Sequence, residues 1–587
     1  MKKIITKFLA IACVAIASSV TVFAQGTLSG TVSEGGKGIP YATVALLNTV
    51  YGALTTESGT FEVKGVPAGV YNVKVSAIGF ATLTQAVSIK SGEVTTYAPS
   101  LKADNLQLDE VVITGLLNPK SALQSSVSIS TIDPVAIANA APRSTAEILR
   151  SITGVRSEAS GGDGNTNITV RGVPIATGGS KFLQLHEDGL PVLQFGDIAF
   201  ATADIFLRAD NTISRIEAIR GGNASTLASN SPAGIINFIS KHGEVEGGSL
   251  ASTIGLDFNS LRTDFEYGSP IGNNVSFHLG GFFRQGDGPR KAGFISNQGG
   301  QLKANLTKTF GKGYARVYLK YLNDRTAAYM PMPMQVEGTN SNPTWSSVAG
   351  YDALHGTLQS PYLQTNIGTG PDGQLRRSNV ADGMHPVSTA IGSEFAFDLG
   401  SDWSVMNRSR WAMNSGRFVA PFPAQVGDAA SIAGGITGGN PYTLSYTTGE
   451  AFPSNANGNN LLMRMHLFDT ELNNFDNFTN DFSITKSFEK VKLTAGYYKA
   501  YQNISMSWVW NSYLTDVTDD GIRLLNLADT ANNYTDNGVL AYGVPAWGNC
   551  CHRNYDTKYD IGAPYGAVEV NLTNLNIDAS FRYDQGT

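Results

Sequence analysis

The chain has 587 residues and a formal net charge of −6, with 42% apolar and only 15% charged residues. This length allows several domains, and a low charge content combined with 64 glycines suits strands and turns better than helices. The negative balance argues against a protein that binds a nucleic-acid backbone.

The first 24 residues have the features of a secretory signal peptide. Lys2, Lys3 and Lys7 precede an uncharged stretch from 8 to 24, which ends in Val-Phe-Ala before Gln25. This stretch is shorter than the about 20 apolar residues of a membrane anchor. We therefore expect residues 1–24 to direct export.

Beyond this leader, the sequence gives little sign of catalytic or metal chemistry. Only Cys550 and Cys551 remain, and together with His552 they lack the ligand spacing of a zinc site. The motifs H-E-x-x-H, G-x-S-x-G and Walker A are absent from the sequence. We expect a protein that is not an enzyme and that holds neither a metal nor a cofactor.

Residues 25–102 contain short strand-like runs separated by Gly-rich and Pro-rich turns, which predicts a compact β-sandwich. The segments Gly30–Val32, Gly38–Ala42, Gly59–Phe61, Gly69–Tyr71 and Val75–Phe80 resemble a carboxypeptidase-regulatory-like domain. The resemblance implies a transthyretin-like accessory sandwich without catalytic activity. A generic immunoglobulin-like domain is the alternative.

Residues 103–127 form a linker that carries one short β-prone segment. A segment of this kind can add itself to the sheet edge of a partner, or it can be the last strand of the preceding sandwich. The segment resembles the TonB box of receptors of the Bacteroidetes type. This resemblance implies that TonB binds Asp109, Glu110, Val111, Val112, Ile113 and Thr114.

Residues 128–242 carry four motifs in a fixed order. They are Val170–Val173, Asp188–Pro191, Ile213–Gly221 and Gly234–Lys241. In this order they resemble the plug domain of TonB-dependent receptors, which implies a small α/β domain inside a barrel. The resemblance assigns the plug motif to Arg171, Gly172, Asp188, Gly189, Arg215, Glu217, Arg220 and Gly221.

Four of these plug residues are charged and lie on strand-like segments. If the plug sits inside a barrel, Arg171, Arg215, Glu217 and Arg220 become partly buried and need partners. We expect them to pair with each other and with residues that face the barrel lumen. An ordinary solvated face is the alternative.

From residue 243 onward, apolar and polar residues alternate, as in residues 275–284, 315–321, 391–399 and 575–583. This pattern is typical of a membrane β-barrel and also of a soluble sandwich. Tight turns that alternate with long segments favour the barrel. The long segments lie near residues 324–387, 414–477 and 503–562.

The alternation gives about eleven strands, whereas plugged barrels have about 22 and bacterial barrels an even number. We therefore expect a fragment that contains the first half of its barrel. The predicted fold class is mainly β, with an N-terminal transthyretin-like β-sandwich, an α/β plug domain and part of a large antiparallel transmembrane β-barrel. The predicted domains are residues 25–102, 103–127, 128–242 and 243–587.

The long segments contain aromatic residues that suit sugars or aromatic chelators, although such residues also line membrane interfaces. The resemblance implies a large scarce ligand, and we expect a ferric siderophore or another iron chelate. A glycan importer of the SusC-like type and a passive or adhesive barrel are the alternatives. The candidate ligand-binding residues are Trp345, Tyr351, Trp508, Trp510 and Trp547.

The resemblance also implies partners and a location. The expected partners are the TonB–ExbB–ExbD energy-coupling complex, the outer membrane and the iron chelate, with a surface lipoprotein as a further expectation. The N-terminal domains would lie in the periplasm and the long loops outside the cell.

Overall fold

The computed structural model describes residues 25–587 with several gaps. Those gaps are residues 41, 48, 50, 78–82, 102–110, 113–119, 122–127, 141, 160–161, 175–181, 195–196, 199–200, 222–223, 273, 289, 371, 454–457, 543–552 and 573–574. The expected signal peptide lies outside the described residues. The chain divides into two compact units, the second of which contains residues 126–587.

The first unit contains a β-sandwich. One sheet has the order β6-β1-β9 and the other β5-β4-β7-β8, and apolar side chains such as Leu28, Val44 and Val73 are buried between them. Two residue pairs of the linker, Val111–Val112 (β10) and Lys120–Ser121 (β11), form a small antiparallel ladder. The sandwich strands are β1 (Gln25–Thr31), β2 (Ser33–Glu34), β3 (Lys37–Gly38), β4 (Thr43–Leu46), β5 (Gly52–Leu54), β6 (Thr60–Pro67), β7 (Gly69–Ser76), β8 (Leu83–Ile89) and β9 (Val94–Thr96).

The second unit begins with a small α/β domain. Its central sheet has the order β12-β19-β20-β15-β16, and β20 is buried along its whole length. The strands are β12 (Ser128–Ile132), β13 (Val155–Ala159), β14 (Thr166–Val170), β15 (Leu183–Glu187), β16 (Leu190–Pro191), β17 (Asp197–Ile198), β18 (Ala201–Thr202), β19 (Ile213–Arg220) and β20 (Gly234–Ser240). The helices are α1 (Pro134–Ala140), α2 (Thr145–Arg150), α3 (Ala224–Leu227) and a 3₁₀ turn at Ala203–Phe206.

The rest of this unit is a 14-stranded antiparallel sheet, which we call the wall. Its main path runs through eleven strands in the described residues, from β21 to β39. The strands are β21 (Gly247–Ile254), β22 (Ser260–Pro270), β23 (Val275–Gly286), β24 (Asn297–Phe310), β25 (Gly313–Arg325), β30 (Met384–Gly400), β31 (Trp403–Asp428), β33 (Leu461–Asn474), β34 (Asn477–Ser487), β35 (Val491–Asp516), β37 (Val539–Tyr542), β38 (Arg553–Leu572), β39 (Leu575–Arg582) and β40 (Gln585–Gly586).

The wall has two faces of different character, as the alternation in the sequence predicts. Side chains at alternate positions, such as Leu279, Val317 and Ile391, are exposed apolar groups. The intervening positions are polar and buried, as for Lys320 and Arg410. The polar face contacts the α/β domain, whose residues reach both the first strand (Asn211 to Ser249) and the last (Thr226 to Ser580). The wall therefore encloses this domain, consistent with a barrel.

Some strands are longer than the sequence suggests. Strands β31 and β35 each have 26 residues and continue into the segments expected to be loops. The last part of β35, from Ser507 to Asp516, is buried on both faces. Because a strand buried on both sides loses its apolar and polar alternation, the pattern there does not show the strand.

The connections between these long strands fold into small sheets of their own. No helix in the described part of the chain has the length and apolar character needed to cross a membrane. The elements are β26 (Gln335–Thr339), β27 (Asn342–Ser346), β28 (Thr365–Thr369), β29 (Leu375–Asn379), β32 (Tyr442–Tyr446), β36 (Leu525–Asp529), α4 (Ala429–Thr437) and a 3₁₀ turn at Val380–Asp382.

Candidate functional site

The contact between the α/β domain and the wall centres on the turn after β15. Asp188 and Gly189 have φ angles of 51° and 85°, in the left-handed region, and join β15 to β16 in a tight hairpin. Asp188 accepts hydrogen bonds from the backbone N (2.8 Å) and the hydroxyl (2.9 Å) of Ser240. The turn therefore holds the end of β15, and with it Glu187, in one position.

Glu187 forms an ion cluster with two lysines of the wall. Lys303 Nζ lies 2.9 Å from Glu187 Oε1, and Lys320 Nζ lies 2.8 Å from Oε2. Each lysine also bonds to the α/β domain elsewhere, Lys303 to Ser240 Oγ and Lys320 to Phe206 O, both at 3.0 Å. One buried carboxylate thus holds two wall cations.

Burial and charge act in opposite directions on the carboxyl groups of this turn. Burial alone would raise the pKa of Glu187, but Lys303 and Lys320 lower it well below its ordinary value. For Asp188, burial is the largest influence and raises the pKa. Glu187 therefore stays ionised, and its charge is available to both lysines.

The segment that follows the turn is held by polar side chains of the wall. Arg410 donates to the carbonyl oxygens of Leu190 (3.4 Å) and Pro191. Asn477 donates to Val192 O at 3.2 Å, and Gln194 N donates to Gln502 Oε1 at 2.6 Å. Buried backbone groups in this irregular segment are thus satisfied by the wall.

A second ion cluster lies at the C-terminal ends of β23 and β25. Asp324 is fully buried and accepts from Arg208 Nε at 2.8 Å. It also accepts from Arg284, at 2.8 Å from Nε and 2.6 Å from Nη2, and Arg284 in turn bonds to Asp163. Arg208 and Asp163 belong to the α/β domain, so the cluster again connects the domain with the wall.

Contacts of this kind hold the domain firmly but can be exchanged. Buried charges are stable only with partners, and removing one partner costs about 3–5 kcal/mol. Hydrogen bonds and ion pairs can be replaced by water when the domain shifts. Apolar contacts lie beside them, since Met384, Phe418 and Leu472 of the wall belong to the same buried cluster as the domain core. The interface therefore combines an apolar part with buried ion pairs that hold the domain in place.

Of the four plug charges expected to find partners, two form a pair. Arg215 Nε lies 2.7 Å from Glu217 Oε1, and Glu217 is fully buried. Arg171 and Arg220 depart from the expectation, because no carboxylate within the described ranges pairs with them. Arg220 donates to Thr153 O and to Ser130 Oγ, and burial lowers its pKa.

The predicted plug glycines occupy turns that require them. Gly172 and Gly221 have φ angles of 79° and 84°, which favour glycine. Gly189 lies against Arg408, where an added Cβ would be 3.1 Å from the side chain. These glycines allow the turns of the domain and, having no side chain, form no ion pair with the wall.

Most of the predicted TonB box cannot be placed. Val111 and Val112 form β10, paired with Ser121 and Lys120. Asp109, Glu110, Ile113 and Thr114 lie outside the described residues. The assignment of this segment to TonB therefore stays a prediction.

The candidate ligand-binding aromatics fall into different environments. Tyr351 is buried, and its hydroxyl donates to Met332 Sδ at 2.9 Å, whereas Trp345 is 62% exposed on β27. Trp508 and Trp510 are buried on β35, with ring centroids 5.3 Å apart. Trp547 lies outside the described residues. Their role in ligand binding stays a prediction.

The sequence motifs do not identify the residues that make the main contacts between the domain and the wall. Glu187 lies beside the predicted motif residue Asp188, and Arg208 precedes the predicted stretch at 213–221. Their wall partners Lys303, Lys320 and Asp324 do carry a signal, because each is charged and shares a strand with exposed apolar residues. A charge on the polar face of a barrel strand therefore identifies the interface better than a motif does.

The connection between β20 and β21 gives this interface a pH dependence. Burial, aided by Arg316, lowers the pKa of His242 to about 3, from an ordinary value of 6.5. Between these values the folded protein binds fewer protons than the unfolded chain. His242 therefore lowers the unfolding free energy as the pH drops below 6.5, by at most about 1.4 kcal/mol per unit. The buried His186 of the plug, whose pKa burial also lowers to about 3, adds to this fall.

This pH dependence can be measured by denaturant unfolding of the detergent-solubilised protein between pH 7.5 and 5. His242→Gln should reduce the slope of the unfolding free energy against pH, and His186 should account for part of the slope that remains. The matched control His355→Gln alters an exposed histidine that, among the described residues, bonds to Asp352 three positions earlier, and it should leave the profile unchanged. Equal slopes in the wild type and His242→Gln would contradict this assignment.

Two family comparisons match the N-terminal half of the chain. Residues 28–113 match the family described as CarboxypepD_reg-like domain, and residues 121–235 match the TonB-dependent Receptor Plug Domain. No curated protein matches the chain. The resemblances to the carboxypeptidase-regulatory-like domain and to the plug domain are thereby confirmed.

Solved structures with a similar fold cover about four fifths of the chain. The receptor FpvA of P. aeruginosa bound to a heterologous pyoverdine is 12% identical, with a TM-score of 0.51, over 81% of this chain and 54% of that one. FpvAI in complex with pyocin S2 is 13% identical, with a TM-score of 0.51, over 84% and 58%. The ferric-catecholate import receptor Fiu of E. coli K12 is 13% identical, with a TM-score of 0.51, over 80% and 57%.

At this identity the likeness concerns the fold, and the chain spans little more than half the length of these receptors. The α/β domain coincides with the residues that match the plug family. The polar face of the wall surrounds this domain. The chain therefore carries a TonB-dependent receptor plug domain, preceded by a carboxypeptidase-regulatory-like domain and followed by a large antiparallel sheet consistent with a barrel.

Proposed function

We propose that the protein is an outer-membrane transporter that binds a ferric siderophore or another iron chelate on its extracellular side and imports it past the plug. The seating of the plug on the polar face of the wall, through the clusters around Glu187 and Asp324, carries this proposal. Buried ion pairs that hold the plug and that water can replace suit a gate, although apolar side chains of the wall also pack on the plug.

The choice of ligand is supported by the solved structures with a similar fold. Fiu is described as a ferric-catecholate import receptor, and FpvA is bound to a pyoverdine in its structure. Those ligands belong to those proteins. For this chain they favour an iron chelate over a glycan, and the matched plug family is one of transport receptors.

Energy would reach the plug through the linker. In this proposal TonB, driven by ExbB and ExbD, binds Asp109–Thr114 by adding a strand to its own sheet and pulls on the chain. The first plug strand, β12, lies at the edge of the central sheet and is only partly buried. Tension on the linker would therefore reach the plug at an edge strand, which is paired on one side with β19.

The experiment is an uptake assay in iron-starved cells. Deleting residues 109–114 should reduce uptake of a labelled ferric chelate to background, because the coupling to TonB is lost. Binding of the chelate to the cell surface should stay unchanged. A passive pore needs no such segment and would keep its uptake. A six-residue deletion at 122–127, which keeps β11 and the predicted TonB-binding segment, is the matched control and should keep uptake. Undiminished uptake without residues 109–114 would contradict energy coupling.

A further inference from the structure

The hairpin formed by β26 and β27 is exposed along its whole length. Every residue from 334 to 347 is exposed, including all residues of the two strands. Five residue pairs hold the strands together, from Gln335 with Ser346 to Thr339 with Asn342. An isolated two-stranded hairpin is only marginally stable in water. Contact with another surface would therefore stabilise it.

The two faces of this hairpin differ in character. Val336 and Trp345 are directly opposite each other in the ladder and lie on one face, at 53% and 62% exposure. Met334, two positions before Val336, extends this face and is 45% exposed. The hairpin is therefore amphipathic, and the described residues leave its apolar face uncovered. The opposite face consists of polar residues, namely Gln335, Glu337, Thr339, Asn342, Thr344 and Ser346.

Both ends of the hairpin are anchored on the outer face of the wall. Met332 before it and Val348 after it pack against a buried cluster that contains Val419 of β31. On either side of Val419 in the chain, Phe418 and Ala420 pack with the core of the plug. Because side chains alternate along a strand, Val419 points away from the plug. The hairpin therefore projects from the outer side of the wall.

The same outer face of β31 carries exposed apolar residues nearer the start of the strand. Trp411 and Met413 are 51% and 43% exposed and belong to the apolar band that a membrane barrel turns to lipid. From Met413 to Val419 the strand rises by about 20 Å, and the hairpin itself spans about 17 Å. The hairpin is therefore long enough to reach back to the edge of the apolar band.

Charge on this outer face is concentrated between the band and the anchor of the hairpin. Arg417 lies between Met413 and Val419, and its Nη2 is 2.9 Å from Glu471 Oε1. Charged groups on the lipid side of a barrel are tolerated near the membrane interface and not at its centre. The hairpin itself adds little charge, since Glu337 is the only charged residue from 326 to 351. An uncharged face with a tryptophan suits this interface, where tryptophan is enriched.

We infer that the apolar face of this hairpin binds the lipid surface beside the wall, with Trp345 inserted between headgroups and acyl chains. This inference rests on the proposed location in the outer membrane. It assigns Trp345, one of the predicted ligand-binding residues, to lipid instead of ligand. A second copy of the chain fits this face less well, because three apolar side chains cover far less than the about 800 Å² per partner of a stable interface.

The test measures the tryptophan fluorescence of the full chain in phosphatidylcholine vesicles, with and without bromine atoms on the acyl chains. Bromine quenches only those tryptophans that come close to it. The contribution of Trp345 is the difference between the wild type and Trp345→Phe, and Trp411→Phe gives the contribution of Trp411 in the same way. We expect bromine to quench Trp345 at least about half as strongly as Trp411, because both rings contact lipid.

Two charge variants test which face of the hairpin meets the lipid. Val336→Glu places a charge on the apolar face and should lower the quenching of Trp345 by about threefold or more, because a carboxylate resists transfer into lipid. Ser346→Glu places the same charge on the polar face and should leave the quenching unchanged. Equal effects of the two variants would overturn the inference.

The two tryptophans also separate this inference from the proposed location. Quenching of Trp411 without quenching of Trp345 would overturn the inference and leave the membrane location standing. The same result is expected if the hairpin serves a partner protein instead of lipid. Absence of quenching at both Trp345 and Trp411 would overturn the inference and the proposed location together.

Discussion

Replacing Asp324 with asparagine is expected to loosen the plug strongly and to let a large antibiotic, normally excluded by the outer membrane, enter the cell. Asp324 is fully buried and bonds to Arg208 of the plug and Arg284 of the wall. Asparagine has nearly the same size but no charge, so both guanidinium groups lose their shared counter-ion. Breaking a buried ion pair from one side costs about 3–5 kcal/mol.

The leak can be measured as the lowest antibiotic concentration that stops growth. The loss of stability can be measured by thermal unfolding of the purified protein. Asp556→Asn is the matched control, because Asp556 is exposed on β38 and forms no ion pair with the described residues. Unchanged permeability and unchanged unfolding in Asp324→Asn would show that the cluster does not hold the plug.

A disulfide between plug and wall is expected to block import without affecting ligand binding. Thr226 Oγ1 of the plug and Ser580 Oγ of the last wall strand are 2.8 Å apart, so cysteines at these positions are close enough to join. The bond fixes α3 to β39, whereas the ligand is proposed to bind at the long connections of the wall. If passage requires the plug to move, the tethered protein binds its ligand but does not release it inward.

Much of the fold could be predicted because it follows from patterns of neighbouring residues. The exposed positions Val317, Leu319 and Tyr321 alternate with the plug-facing Arg316 and Lys320, as a barrel strand requires. The turn at Asp188 and Gly189 is likewise encoded locally, by an Asp-Gly pair between two apolar strands.

The plug contacts could not be predicted in the same way, because they join residues that are far apart in the chain. Glu187 and Lys320 are 133 positions apart, and nothing local identifies the pair. Arg171 and Arg220 attract notice as members of a motif, yet their contacts within the described residues are with carbonyl and hydroxyl oxygens. Motif membership thus identified the domain rather than its contacts with the wall.

The face presented by β33 also depends on more than alternation. Ala412 of β31 pairs with Asn477, and Gly416 pairs with Leu472. The segment 472–477 therefore has one more residue than the segment 412–416 that it faces. This β-bulge shifts the alternation and turns His466 and Phe468 toward the lumen side. If the alternation of β34 continued unchanged into β33, His466 and Phe468 would lie on the outer face.

The central claim is that the plug closes the lumen of the wall and must move for import. The most direct test is uptake of a labelled ferric chelate by cells carrying the Thr226→Cys and Ser580→Cys pair, before and after addition of a reductant. The control pair Ser393→Cys and Ser409→Cys joins two wall strands whose hydroxyls are 2.8 Å apart and leaves the plug free. We expect uptake to be lost only in the plug-to-wall pair and restored by reduction, with surface binding constant. Full uptake in a completely cross-linked population would contradict the claim.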